Sequence, residues 1–231
     1  MTTDTIVHKI IIGSLVAIGL SLGPTFTAAA ENDDDDDDLQ TLDAKASARA
    51  GEWWQWSLAF AVDENPILDP DGRFCELGQD HEVWYLAGTF GGSVTRSCTV
   101  PADAPLFFPL LNWIYLASPG EKINHRQMLD ALDPGVEQTC ALHLLVDGQP
   151  IVDDLFSLRL TTKQGFDVEL PANNLAGRDP GVYGPAAADG FYALLEPLEP
   201  GEHLVEFGGA VCDEQGAILF ESSATYMLTV E

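Results

Sequence analysis

Ser93-Val94-Thr95-Arg96-Ser97-Cys98-Thr99-Val100 sets Val94, Cys98 and Val100 on one side of an extended chain and Ser93, Thr95, Ser97 and Thr99 on the other. Successive side chains of a strand point to opposite faces, so this period of two predicts a β-strand with one face buried and one face wet. Similar signals recur downstream. Residues 141–146 are mostly apolar and run into Asp147-Gly148, a dipeptide suited to a tight hairpin, so the chain from Ile151 onward is expected to pair back. Further strands are predicted at 155–162, 166–170, 192–195, 203–212 and 224–230, the last with Tyr226, Leu228 and Val230 on one side. Between them, 171–189 is rich in Asn, Gly, Pro and Ala and reads as a loop. Many short strands at intervals of about ten residues predict a mainly β fold, an immunoglobulin-like or related β-sandwich.

Upstream of that stretch the period changes. Leu39, Leu42, Ala46, Ala50, Trp53, Trp56 and Phe60 recur at steps of three and four, which predicts a helix at about 39–61, ending before Asn65-Pro66. The apolar run 83–88 reads as a strand. The long run 106–116 is interrupted by Pro109, which suggests an edge or a bend. A short helix is expected after Ser118-Pro119, through Met128 and Leu132, closed by Pro134-Gly135.

At the start of the chain, Lys9 closes a short polar region and residues 10–22 follow without a charge. Ala28-Ala29-Ala30 then offers the small residues that a signal peptidase reads, so 1–30 is expected to be a signal peptide, with Glu31 beginning the exported chain. An uncleaved anchor is the competing reading, because residues 10–30 together reach the roughly 20 residues of a membrane span. After cleavage no membrane insertion is expected, and the destination is periplasmic or extracellular. Residues 31–38 read as an acidic disordered segment and 39–231 as a single β-rich domain; the 46% hydrophobic content is enough to fill an ordinary interior.

The formal charge is −27, from 37 acids against 10 bases, with Asp33 to Asp38 unbroken. A polyanion repels nucleic acid, which excludes that class of partner. The aspartate run favours solubility and offers carboxylate oxygens to calcium, but a flexible homopolymer has no fixed cage; weak calcium binding is the most it implies, and no cofactor is predicted.

Cys75, Cys98, Cys140 and Cys212 are an even set in a chain read as exported, and they predict two disulfides. Of three connectivities, Cys75 with Cys98 and Cys140 with Cys212 is favoured, because the first two flank one strand-rich segment and the others sit in separate β runs. No pair has C-x-x-C spacing, which argues against a metal.

Two blocks carry a resemblance. The first is Asn65-Pro66, Asp69, Gly72, Cys75, Gly78-Gln79, the run Val83-Trp84-Tyr85-Leu86-Ala87-Gly88-Thr89-Phe90-Gly91-Gly92, Arg96, Cys98 and Pro101. The first block also takes in Phe107-Phe108-Pro109, and the second is Ala188-Asp189-Gly190-Phe191-Tyr192, Pro197-Leu198, Pro200-Gly201, His203 and Phe207. Together they resemble an uncharacterised group of secreted bacterial and archaeal proteins. That resemblance implies export, β content and the Cys75 and Cys98 positions; it implies no activity, substrate or catalytic residue.

Candidate chemistry is sparse. Trp53, Trp54 and Trp56 would stack on sugar rings if exposed, but Trp53 and Trp56 fall on the helix's apolar stripe, leaving Trp54 as the exposed candidate. Asp63, Glu64, Asp69, Asp71, Asp80, His81 and Glu82 crowd the loops around 63–82, as paired carboxylates for glycoside hydrolysis or a metal would. Asp69-Pro70-Asp71-Gly72 is more simply a turn, and the EF-hand pattern fails at its first and last positions. His81, His125, His143 and His203 lack the i, i+4 spacing of a zinc helix, and no nucleophile elbow, Walker loop or dinucleotide fingerprint is present. Arg96 and Arg159 either pair with neighbouring carboxylates or offer a fork to an anion. The candidate ligand-binding residues are therefore Trp54, Asp80, His81, Glu82 and Arg96; no metal site is predicted and catalytic residues stay unassigned. One reading is a non-catalytic exported binding module for a protein or glycan at the cell surface. The other is a secreted hydrolase whose acids and histidines converge from 63–82 and 171–189. The first is preferred, because missing motifs count more against enzymes than against binders.

Overall fold

In the computed structural model, residues 33–79 and 82–231 are described, with side-chain contacts from Lys45 onward. The signal-peptide expectation falls on residues outside that range. The strands are β1 (Trp84–Tyr85), β2 (Gly92–Val100), β3 (Leu106–Leu116), β4 (Thr139–Val146), β5 (Gln149–Pro150), β6 (Arg159–Thr161), β7 (Phe166–Leu170), β8 (Gly181–Leu195), β9 (Gly201–Cys212) and β10 (Ile218–Val230). Two helices, α1 (Asp33–Leu58) and α2 (His125–Glu137), accompany them. One sheet runs β1-β3-β8-β6, with β7 also on β8; the other runs β2-β10-β9-β4-β5. Pairing is antiparallel except for β1 with β3 and β2 with β10.

The two sheets face each other, so the mainly β sandwich expected from the sequence is the observed architecture. Phe108 of β3 meets Phe207 of β9 across the interface with ring centroids 4.3 Å apart. Leu106, Phe191 and Ala193 of the first sheet and Val205, Ala224, Tyr226 and Leu228 of the second fill the same interior. A second core lies on the far side of the first sheet, where Ala50, Trp53, Trp54 and Trp56 of α1 cover Phe107, Ala186, Ala188 and Tyr192. The molecule is thus layered helix, sheet, sheet.

Local chemistry explains most of the elements. The β4–β5 hairpin turns on Asp147 (φ 52°) and Gly148 (φ 74°), the two positive dihedrals that such a turn needs. Both expected disulfides are present, Cys75 with Cys98 and Cys140 with Cys212. The first ties the segment after α1 to β2, and Gly72 of that segment lies so close to the strand that a Cβ there would meet the Ser97 carbonyl. With Ser97 N–H donating to Asp71 O, the segment covers β2 where no other strand pairs with it.

Several boundaries differ from the sequence expectation. Helical backbone reaches into the aspartate run, against the expectation of disorder, and α1 stops at Leu58. α2 starts from Asn124, not Ser118-Pro119: Asn124 and Gln127 form a reciprocal capping box, and the helix runs through Pro134 to Glu137. Of the apolar run 83–88 only Trp84–Tyr85 is strand. Residues 155–158 form a 3-10 turn before β6. The largest departure is 171–189. Its second half belongs to β8, where Ala186, Ala187 and Ala188 are fully buried. Alanine and glycine carry little strand propensity of their own, and here small side chains are what the packing above the strand requires.

Candidate functional site

Pro109 in the middle of β3 has no N–H for the ladder, and the register with β8 shifts between Pro109 and Leu111. β1 ends before this point, so β3 is unpaired on that side of the bulge. A cavity of about 70 Å³ lies there. Trp53 and Trp54 of α1 and Ile67 wall one side; Pro109, Leu110, Leu111 and Asn112 of the bulge wall another; Gly88, Thr89 and Phe90 close it with Phe220 and Ser222 of β10. None of these side chains is ionisable.

The polar atoms in the walls are few and nearly all engaged. Trp53 Nε1 donates to Leu86 O at 3.0 Å, Ser222 Oγ to Thr89 O at 2.9 Å and Asn112 Nδ2 to the Tyr192 hydroxyl at 3.3 Å. Trp54 Nε1 lies near enough to the Tyr192 hydroxyl to influence it, yet is buried without a hydrogen bond of acceptable geometry. Burial is the main reason that the Tyr192 hydroxyl is pushed up, and it stays protonated. At the rim Phe90 is 54% and Phe220 39% exposed, with Ile218 and Leu219 exposed beside them.

The sequence candidates separate here. Trp54 is 5% exposed, which overturns its reading as the exposed tryptophan: α1 is packed on the first sheet and also wrapped by the segment at 65–88, so more than one stripe of the helix is covered. It nevertheless lines the cavity. Arg96 is 1% exposed and offers no fork to a ligand. Its guanidinium donates to the main-chain oxygens of Ile67, Asp69, Ala87 and Gly88 and to the Tyr226 hydroxyl, so it clamps loops together and takes no carboxylate partner among the described residues. Glu82 is exposed ahead of β1 and outside the cavity wall. Asp80 and His81 lie outside the described residues.

Within 63–82, Asp69 and Asp71 serve a turn. Asp69 accepts main-chain N–H groups from Asp71, Gly72 and Phe74. The Arg73 side chain beside Asp71 lowers that carboxyl to about 2. Asp63 is reached by Asn173 of the 171–189 segment at 3.5 Å, so the two loops do meet, but with a single carboxylate between them. Arg159 pairs with Asp133, Glu137 and Asp189, as expected of a scarce cation. His143 reaches Ser223 at 3.4 Å, whereas His203 lies between Asp147 and Glu199 O. Among the described residues no three His, Cys, Asp or Glu side chains are grouped to hold a metal. A wider, shallower hollow beside Arg178 has its guanidinium already bound to Leu116 O and Ala117 O and laid over Tyr183.

The chain matches no known family model, no curated protein and no solved structure. Asn112, Phe220 and Ser222 had no motif to reveal them, and Phe90 stood in the first resemblance block with no role attached. The available signal was Pro109, the one residue in the apolar run 106–116 that has to break a ladder.

Proposed function

We propose that the protein is an exported, non-catalytic binding module and that its site is the neutral cavity at the β3 bulge with its aromatic rim. The observation that carries this reading is the absence of ionisable side chains among the cavity walls, beside apolar side chains left exposed at the mouth. A few polar groups in a mostly apolar hollow is the composition of a recognition site. Hydrolysis needs a nucleophile with its base, or two carboxylates flanking the scissile bond. Asp69 serves a turn and Asp71 an exposed ion pair with Arg73 instead.

Export is supported by the apolar N-terminal run before Ala28-Ala29-Ala30 and by two disulfides. Among the described residues no helix is long and apolar enough to cross a membrane. The partner is a cell-surface protein or glycan.

A thermal-shift screen of the protein recovered after secretion tests the reading, because a ligand that binds only the folded state must raise the melting temperature. Glycans and peptides are expected to shift it, and replacing Phe90 and Phe220 with Ala should remove the shift. Turnover of any substrate that survives those replacements would defeat it. Intact mass of the same sample should begin at Glu31; retention of residues 1–30 would make the segment an anchor.

A further inference from the structure

We infer that the cavity receives a neutral acetamido group, and that the ligand carrying it is an N-acetylated sugar whose ring lies on Phe90 and Phe220. This rests on the binding-module reading and names its ligand. Size comes first: about 70 Å³ is roughly half of the ~150 Å³ apolar cavity that takes a benzene ring, room for a group of about four heavy atoms but not for a whole ring.

Charge narrows the chemistry. No wall residue is ionisable, and burying an unpaired charge is costly, so the group is neutral. The −27 charge of the chain opposes anionic ligands further. What the walls do ask for is an acceptor. Trp54 is 5% exposed, and its Nε1–H lies beside the Tyr192 hydroxyl without a hydrogen bond of acceptable geometry, whereas the side-chain donors of Trp53, Thr89, Asn112 and Ser222 are engaged. A buried donor left unmade is destabilising, so a ligand oxygen placed there gains more than it would at a satisfied site. Asn112 offers the complement: its Nδ2 is engaged by Tyr192, and its Oδ1 makes no hydrogen bond among the described residues. One donor, one acceptor and walls of Ile67, Leu110 and Leu111 match the carbonyl, the N–H and the methyl of an acetamido group.

The rim favours a sugar as the carrier. Phe90 and Phe220 expose flat apolar surface against which the C–H face of a pyranose can lie, and Ser222 Oγ, which donates to Thr89 O, can still accept from a ring hydroxyl.

Calorimetric titration of the secreted protein with N-acetylglucosamine, glucose and an acetyl-lysine peptide tests this. N-acetylglucosamine is expected to bind at least tenfold more tightly than glucose. Trp54→Phe keeps the aromatic surface and removes the N–H, and should weaken N-acetylglucosamine by about tenfold, the size of one lost hydrogen bond. Should that variant fold poorly, Gly88→Leu decides. An added Cβ at Gly88, a wall residue, meets only Ser222 Oγ at 3.9 Å, so a side chain can start there, and its bulk is expected to abolish binding. Equal affinity for both sugars, unchanged affinity in Trp54→Phe or Gly88→Leu, or tighter binding of the peptide would overturn the inference while the binding-module reading stands. Silence from every ligand, here and in the wider screen, would remove both.

Discussion

The two outer faces of the sandwich are built on the same alternating backbone and meet opposite fates. On the first sheet Phe107, Ala186, Ala188 and Tyr192 lie beneath the tryptophans of α1 and are buried. On the second, Ser93, Thr95 and Ser97 of β2 are exposed and Thr225 and Thr229 of β10 partly so, with Met227 at 47% exposure. Antiparallel sheets commonly keep one wet face. Here the covering of the other face creates a second interior, and the cavity lies at its margin, where the covered layer ends against Phe90 and Phe220. The covered face carries stability and the candidate site, while the bare face carries solubility.

Mutation can break or sharpen that contrast. Arg96 lies where the two regions join, on β2 but bound to the loops beneath α1. Arg96→Ala leaves the carbonyls of Ile67, Asp69 and Gly88 without their donor, while Ala87 and the Tyr226 hydroxyl keep each other, and should cost about 5 kcal/mol in urea unfolding. Trp53→Ala empties part of the covered layer and should cost about 4 kcal/mol, read in the same way. Replacing Cys75 and Cys98 with Ala opens a 23-residue loop and should lower stability by about 3 kcal/mol.

Two histidines of the second sheet should titrate in opposite senses. His203 has both ring nitrogens on acceptors, Asp147 and Glu199 O, an arrangement that suits the cation and raises its pKa, the Asp147 hydrogen bond being the larger cause. Its contribution is complete below its unfolded value of about 6.5 and fades as pH rises through the folded one. His143 on the bare face is lowered, chiefly by burial and against the opposing pull of Glu206 and Glu221. The folded state resists its protonation, so stability falls as pH drops below about 6.5 toward the folded value. Melting temperatures measured across pH 5 to 8 should lose the high-pH decline in His203→Gln and the low-pH decline in His143→Gln. The smallest effect belongs to Thr225→Ala, within about 0.5 kcal/mol. If it cost as much as Trp53→Ala, the contrast between the faces would be wrong.

Alternation made the bare face legible in the sequence. Ser93 to Val100 announced which side chains would be wet, and β2 and β10 carry that pattern in register. Arg96 shows where such reading stops: it occupies a core-facing position of an otherwise ordinary pattern, and only the approach of four carbonyls from loops up to 29 residues away makes a buried cation tolerable. The Trp54 expectation failed for a related reason. A single helical stripe presumes one packing partner, and α1 has two. The second half of 171–189 read as a loop because Ala and Gly advertise no strand, although small side chains at Ala186 and Ala188 are what the close-packed helix layer demands of β8.

The sequence by itself determined what depends on neighbours along the chain. These are the period-two strands, the Asp147-Gly148 hairpin, the turn acids of the 69–74 segment and the even set of cysteines that became two disulfides. Tertiary structure decided what depends on elements distant in sequence: which sheet face is covered, where the Pro109 bulge falls relative to α1, and how Trp54, Asn112, Phe90 and Phe220 come to surround one space. The physical reason is that local periodicity dictates the direction of a side chain, whereas burial and a cavity are properties of the surfaces that later pack against it.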